Sequence, residues 1–276
     1  MTNSNSAFIN YEMKNGKEKL MEALHLRGFF VKEENDYISL VNGSKQDIIE
    51  LKLLLKKCSI PVLWNGNQFQ LLVNNLPAEK AREIICYKGK NHYFGVQDYH
   101  LKWRSFVNRR YGIRISTLDN CPFTAIMAKA LNFAGIVTLC CCNGHGKHAP
   151  NFRLSGIYNG IWFKIIQEKY LADLTLHYRW EIDFEKEIKI PYIVAKKRTD
   201  ETWDMLKVLA DCEKMANVLL QHADEIRSLK RNIFKRNMKE EAESMKDAGD
   251  IKGLYSWMKN KIEQYFANME MEPYTF

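Results

Sequence analysis

Residues 61–73, PVLWNGNQFQLLV, decide how the fold is read: two short apolar runs flank Asn65-Gly66. Asn and Gly both tolerate positive φ, so this pair between apolar runs predicts a tight β-hairpin. Upstream, Asn42, Gly43 and Ser44 interrupt the chain. Ser44 stands three residues before Asp47, as a helix N-cap with an acidic first turn would, and Ile48, Ile49, Leu51, Leu54 and Leu55 follow at helical spacing. Downstream, Pro77 opens a helix through Ile85. Before all of these, residues 18–26 repeat Leu20, Met21 and Leu24 as a helix, and Gly28 ends the pattern as a C-cap. Residues 29–31 and 37–41 around the charged stretch KEEND (32–36) then read as another hairpin.

The order helix, strand, strand, helix, strand, strand returns further along. Residues 122–133 read as a helix closed by Gly135, 136–141 and 151–154 as strands, 156–170 as a helix with Ile161, Trp162, Ile165 and Ile166 on one side, and 174–182 and 188–195 as strands. The expected fold is therefore α+β: two related α/β halves followed by a C-terminal antiparallel helical hairpin. We divide the chain into a flexible N-terminus (1–16), a first half (17–90), a basic aromatic connector (91–116), a second half (117–199) and the hairpin (200–276). In this scheme the loop CCCNGHGKHAP (140–150) takes the place of the plain KEEND turn, and an elaborated loop on a rigid scaffold is where function tends to sit.

In the hairpin, Met205, Val208, Cys212, Met215, Leu219, His222, Ile226, Leu229 and Ile233 alternate spacings of three and four, which places them on one seam of a long helix. Asp247-Ala-Gly-Asp250 breaks it, and Ile251, Tyr255, Met258, Ile262, Tyr265 and Met269 repeat the alternation. Such a seam packs either on the α/β body or on another chain. In the second case Met215, Leu219, Ile226, Leu229 and Ile233 are the interaction residues of a homo-oligomer or a protein partner.

The chain has 276 residues, 46% of them hydrophobic, enough for one large domain or two small ones. A net charge of +8 favours an acidic partner, nucleic acid or an acidic protein surface. The candidate nucleic-acid contacts are Arg104, Arg109 and Arg110 in the connector, where arginines interleave with aromatics, and Lys230, Arg231, Lys235 and Arg236 in RSLKRNIFKRNMK (227–239). No run reaches the roughly 18 apolar residues of a membrane span, and the opening residues lack the apolar centre of a secretory signal. Seven cysteines, three of them adjacent, argue for reduced thiols. The expectation is a cytoplasmic protein without membrane contact.

Within TLCCCNGHGKHAPNF (138–152), strand alternation puts Cys140 and Cys142 on one face and Cys141 on the other. Cys140, Cys142, His145 and His148 could supply thiolate and imidazole ligands to zinc, although paired C-x-x-C knuckles are missing. Alternatively Cys142, close to His145, Lys147 and His148, is a candidate catalytic thiolate with His145 as its partner. Leu131-Asn132, Gly135, Thr138, Cys142, Gly144, His145 and Pro150-Asn151-Phe152 together resemble the LN..G..T..SCSGH....YI.F pattern of small phage and prophage proteins. The same segment is distantly similar to the SCSGR segment of wybutosine-synthesis tRNA methyltransferases. That second resemblance implies an S-adenosylmethionine and tRNA site near Cys142, Gly144 and His145, with Gly144 as a cofactor-binding position. Here Cys141, Asn143 and His145 replace the two serines and the arginine of that segment.

The leading expectation is a non-enzymatic, cytoplasmic binding protein of phage or prophage type, acting in the host cytoplasm. It would engage a protein complex, such as a host defence or regulatory complex that it inhibits, or nucleic acid, and self-associate through its C-terminal helices without a cofactor. The alternatives are an RNA-modifying enzyme of the methyltransferase kind and a zinc-binding protein using the Cys/His loop.

Overall fold

The computed structural model describes residues 14–41, 43–89, 101–108, 116–184, 190–198 and 201–271. Most of the expected N-terminal tail and connector, and residues 188–189 of the last expected strand, lie outside them. The chain divides into two compact units, Met1–His92 with Ser116–Lys129, and Tyr93–Ile115 with Ala130–Phe276. Residues 101–108 of the connector and the C-terminal helices thus belong to the same unit as residues 130–199 of the second half, and residues 116–129 belong to the first.

In the first unit, α1 (Gly16–Arg27) starts from a capping box in which Asn15 and Glu18 satisfy each other's backbone N–H. It ends at Gly28, φ 98°. The Gly28 N–H donates to His25 O and the Phe29 N–H to Leu24 O, the double bond of a Schellman cap that needs a left-handed residue. The hairpin β1 (Val31–Glu34) and β2 (Tyr37–Leu40) turns at Asn35-Asp36, φ 50° and 66°. Three of the residues assigned to the KEEND turn are therefore strand. Since β1 is a sheet edge, charges there shield unpaired backbone from other strands. Next, α2 (Lys45–Lys57) starts from the expected N-cap Ser44, which together with Asp47 forms a full capping box. In the hairpin β3 (Val62–Asn65) and β4 (Gln68–Leu71), Asn65 pairs with Gln68. The turn is thus Gly66-Asn67, one residue later than expected, with Gly66 supplying the positive φ of 61°. Helix α3 (Ala78–Cys86) follows Pro77.

The sheet is antiparallel in the order β1-β2-β4-β3. Leu20, Leu24, Ile38, Leu54, Phe69 and Ile84 are almost completely buried in one cluster between it and the helices. Segment 116–120 is pinned to this unit by Arg27, which is fully buried. Its guanidinium donates to Tyr87 O at 2.9 Å, Thr117 O at 2.9 Å, and Leu118 O and Asn120 O at 3.2 Å each. Four carbonyls around one delocalised cation replace the water that a buried charge would otherwise miss.

The expected helix at 122–133 begins three residues late, as α5 (Ala125–Phe133), after the short α4 (Trp103–Val107). Phe123 has φ 69°, a left-handed conformation that no helix can include. The end of α5 repeats the end of α1: Gly135, φ 79°, donates to Asn132 O, and the Ile136 N–H to Leu131 O. In the second unit, β5 (Thr138–Cys142) and β6 (Asn151–Leu154) form a hairpin. Then come α6 (Gly156–Ile166), which runs on through a wider turn to Leu171, β7 (Arg179–Asp183) and β8 (Tyr192–Lys196). This sheet has the order β5-β6-β8-β7, the same path as the first. Two halves of related topology are therefore present. Strand β7 starts five residues later than expected because the N–H groups of His177 and Tyr178 are taken by the Asp211 carboxylate.

The tail is α7 (Met205–Gln221), α8 (Ala223–Ile233), α9 (Lys239–Asp247) and α10 (Ile251–Met271). The expected long helix is thus broken twice. At His222, φ −101° and ψ 9°, the chain restarts with the imidazole 3.1 Å from Glu225, and at Phe234 it becomes extended. The break before α10 is where it was expected, with Gly249 at φ 70°. Beneath these helices, Trp103, Phe106, Tyr158, Trp162 and Phe234 are all buried and meet tilted or edge to face at ring separations between 5.1 and 5.8 Å. Among the described residues, no helix is long and apolar enough to cross a membrane.

Candidate functional site

Strand β5 sets the geometry of the Cys/His loop. A bulge between Thr138 and Cys140 shifts the register, after which Cys140 pairs with Arg153, Cys141 with Phe152 and Cys142 with Asn151. Cys141 faces the interior beside the fully buried Phe152, while Cys140 and Cys142 are half-buried on the other face, as alternation requires. Beyond Cys142 the chain tightens into a single 3₁₀ turn, Gly144–Gly146. Gly144, His145 and Gly146 have φ of 73°, 51° and 72°, three left-handed residues in succession. For histidine that conformation costs roughly 1 kcal/mol, and it persists only where neighbours impose it. The neighbours are visible: Asn143 Oδ1 accepts the His145 N–H at 3.0 Å, and Gly144 O accepts the N–H groups of both Lys147 and His148 at 2.9 Å.

The strained turn swings the His145 ring back over the end of the strand. His145 Nε2 lies 3.6 Å from Cys142 Sγ, which also accepts the Gly144 N–H at 3.4 Å. Zinc–sulfur and zinc–nitrogen bonds of about 2.3 and 2.05 Å at a tetrahedral angle separate the two donors by roughly 3.6 Å. Cys142 and His145 are therefore spaced as two corners of a tetrahedral thiophilic-metal site, and the pair could hold a metal. The contacts also suit a thiolate, because an N–H dipole already points at the sulfur. Asn143, which fixes the His145 backbone, was not singled out in the sequence, although Asn directly before Gly-His in a turn is a readable signal.

The structure brings Cys142 and His145 together but does not assemble the four-ligand set. Among the described residues, neither Cys140 nor His148 joins a metal-spaced group with them. Cys140 sits two residues back, so the strand rise carries its thiol about 6–7 Å along the sheet, and burial pushes that thiol upward despite the opposing charge of Arg153. His148 is exposed on the far limb of the loop.

Of the nucleic-acid candidates, Arg104, Arg231, Lys235 and Arg236 are exposed, and Arg109 and Arg110 lie outside the described residues. Lys230 is buried instead. Its ammonium donates to Gly135 O at 2.8 Å and lies 4.2 Å from the Phe106 ring centre, so it serves the C-terminal end of α5 rather than a surface. Met215, Leu219, Ile226, Leu229 and Ile233 are likewise buried within the chain. Packing on the chain's own body accounts for that seam, which leaves none of these five side chains on the surface to meet a second copy. Compared with protein-family models, curated proteins and solved structures, the chain matches none.

Proposed function

We propose that the chain is a metal-dependent binding protein whose working site is the Cys142–His145 turn, which chelates a thiophilic divalent cation with zinc foremost. The observation that supports this reading is the 3.6 Å separation of Sγ and Nε2 on a turn held left-handed at a non-glycine residue. The turn itself supplies two donors of a tetrahedral set, and a donor from a partner would complete it, so the metal would join the chain to what it binds. The resemblance to phage and prophage proteins adds the expectation that this partner is a host-cell component. The positive charge at Arg104, Arg231, Lys235 and Arg236 favours an acidic one.

Titration with cobalt(II), a spectroscopic stand-in for zinc, tests the reading. A thiolate-to-cobalt absorption band should appear at one equivalent, vanish in Cys142→Ser and weaken strongly in His145→Gln, while Cys140→Ser and His148→Gln leave it in place. If the band is absent, or survives in Cys142→Ser, the proposal is wrong.

A further inference from the structure

A second arrangement, also in the second unit, is separate from the Cys142–His145 turn. Asp211 on α7 is fully buried. Its carboxylate accepts the N–H groups of His177 at 2.8 Å and Tyr178 at 2.9 Å and the Trp180 indole N–H at 3.0 Å. It also lies 3.0 Å from His177 Nδ1. A carboxylate only accepts, so the proton of the neutral ring sits on Nδ1 and the Nε2 lone pair is directed away from Asp211. The imidazole remains 42% exposed. A ring oriented by a buried carboxylate and open at its second nitrogen has the form of a general base, a nucleophile or a metal ligand.

Two cations select among these roles. Lys214, one turn beyond Asp211, donates to Thr175 O at 2.9 Å, and Arg198, just after β8, donates to Leu176 O at 3.3 Å. Both heads are exposed and fastened to the two carbonyls immediately before His177, and each keeps further N–H groups for a ligand. Paired positive charge repels a metal ion and attracts an anionic electrophile, of which a phosphoryl group is the commonest match to an arginine and a lysine.

We propose that His177 accepts a phosphoryl group at Nε2 from a small acyl phosphate, with Lys214 and Arg198 holding the phosphoryl oxygens and Asp211 acting as the positioning residue. The Nε2 lone pair attacks phosphorus. The N–P bond forms as the bond from phosphorus to the acyl oxygen breaks, and the carboxylate leaves with that electron pair. The Nδ1 proton stays against Asp211, whose charge balances the positive charge the ring acquires. The products are phosphohistidine and a free carboxylate, with no change of oxidation state.

The test is incubation of the whole chain with acetyl phosphate, read by phosphorus NMR and by peptide mass spectrometry under alkaline handling, where phosphoramidates survive. Acid-labile phosphate should appear on His177, be absent in His177→Gln, and form at least about tenfold more slowly when Arg198 and Lys214 are both replaced by Ala, with the circular dichroism spectrum unchanged. In Asp211→Asn, which no longer orients the ring or balances its positive charge, labelling of His177 should slow, and Asp211→Glu should restore part of the rate. The exposed His145 and His148 serve as comparators in the same sample. Labelling of His177 no faster than theirs, or unaffected by loss of the two cations, overturns the proposal. The Arg198 and Lys214 variants decide it even where Asp211→Asn does not fold.

Discussion

At the residue scale, His145 combines strain with function. Its φ of 51° is one that glycine adopts without penalty, while its ring completes the contact with Cys142. His145→Gly should therefore stabilise the metal-free chain by up to about 1 kcal/mol in urea unfolding and abolish the cobalt band. A variant less stable than the parent would show that the ring, not the backbone, dominates there. Asp47 is the residue most open to a pH test. Burial alone would push its carboxyl up, but the Lys129 ammonium at 2.8 Å and the Ser44 N–H and hydroxyl outweigh that and bring it down to about 2, against an ordinary 3.8. A carboxyl lowered by folding stabilises fully above its unfolded value, and that stabilisation fades as pH falls through its folded value. The contribution of about 2 kcal/mol is thus present above pH 3.8 and lost as pH approaches 2. Chemical unfolding across that window should show a parent minus Asp47→Asn difference that shrinks with falling pH. A constant difference would contradict the ion-pair origin.

At the element scale, the repeated cap is the strongest sign of a duplicated half. Gly28 and Gly135 close their helices with the same pair of hydrogen bonds, and both were readable as C-caps. Their surroundings differ in what a side chain would strike. A Cβ at Gly28 would meet the backbone oxygen of Ala125 at 3.1 Å, whereas at Gly135, among the described residues, it would meet only the Arg227 side chain at 3.3 Å, which can move. Each Gly→Ala change should cost roughly 1 kcal/mol from the positive φ alone, and Gly28→Ala should cost clearly more. Equal losses in thermal or urea unfolding would remove the steric part of the argument. The hairpins, caps and alternation of the three cysteines were legible because they depend on neighbours within a few residues. The misreading at β7 came where a distant group took over the backbone. Asp211 captures the amides before β7, and the helix seam is broken at His222 despite unbroken apolar spacing.

At the scale of the whole molecule, the amino-acid order by itself determined the α+β class, the repeated helix and hairpin order, the left-handed caps and the turn at Cys142 to His145, since periodicity and turn chemistry are local. It could not decide what those elements meet. The identical strand paths β1-β2-β4-β3 and β5-β6-β8-β7 emerge only when the sheets close. So do the burial of Arg27 among four carbonyls, the withdrawal of Lys230 from the surface, and the meeting of His177 with Asp211 across 34 residues of chain. A charge read in sequence is assumed to be solvated. Only tertiary packing decides whether it remains in water or is enclosed with partners that make the enclosure affordable.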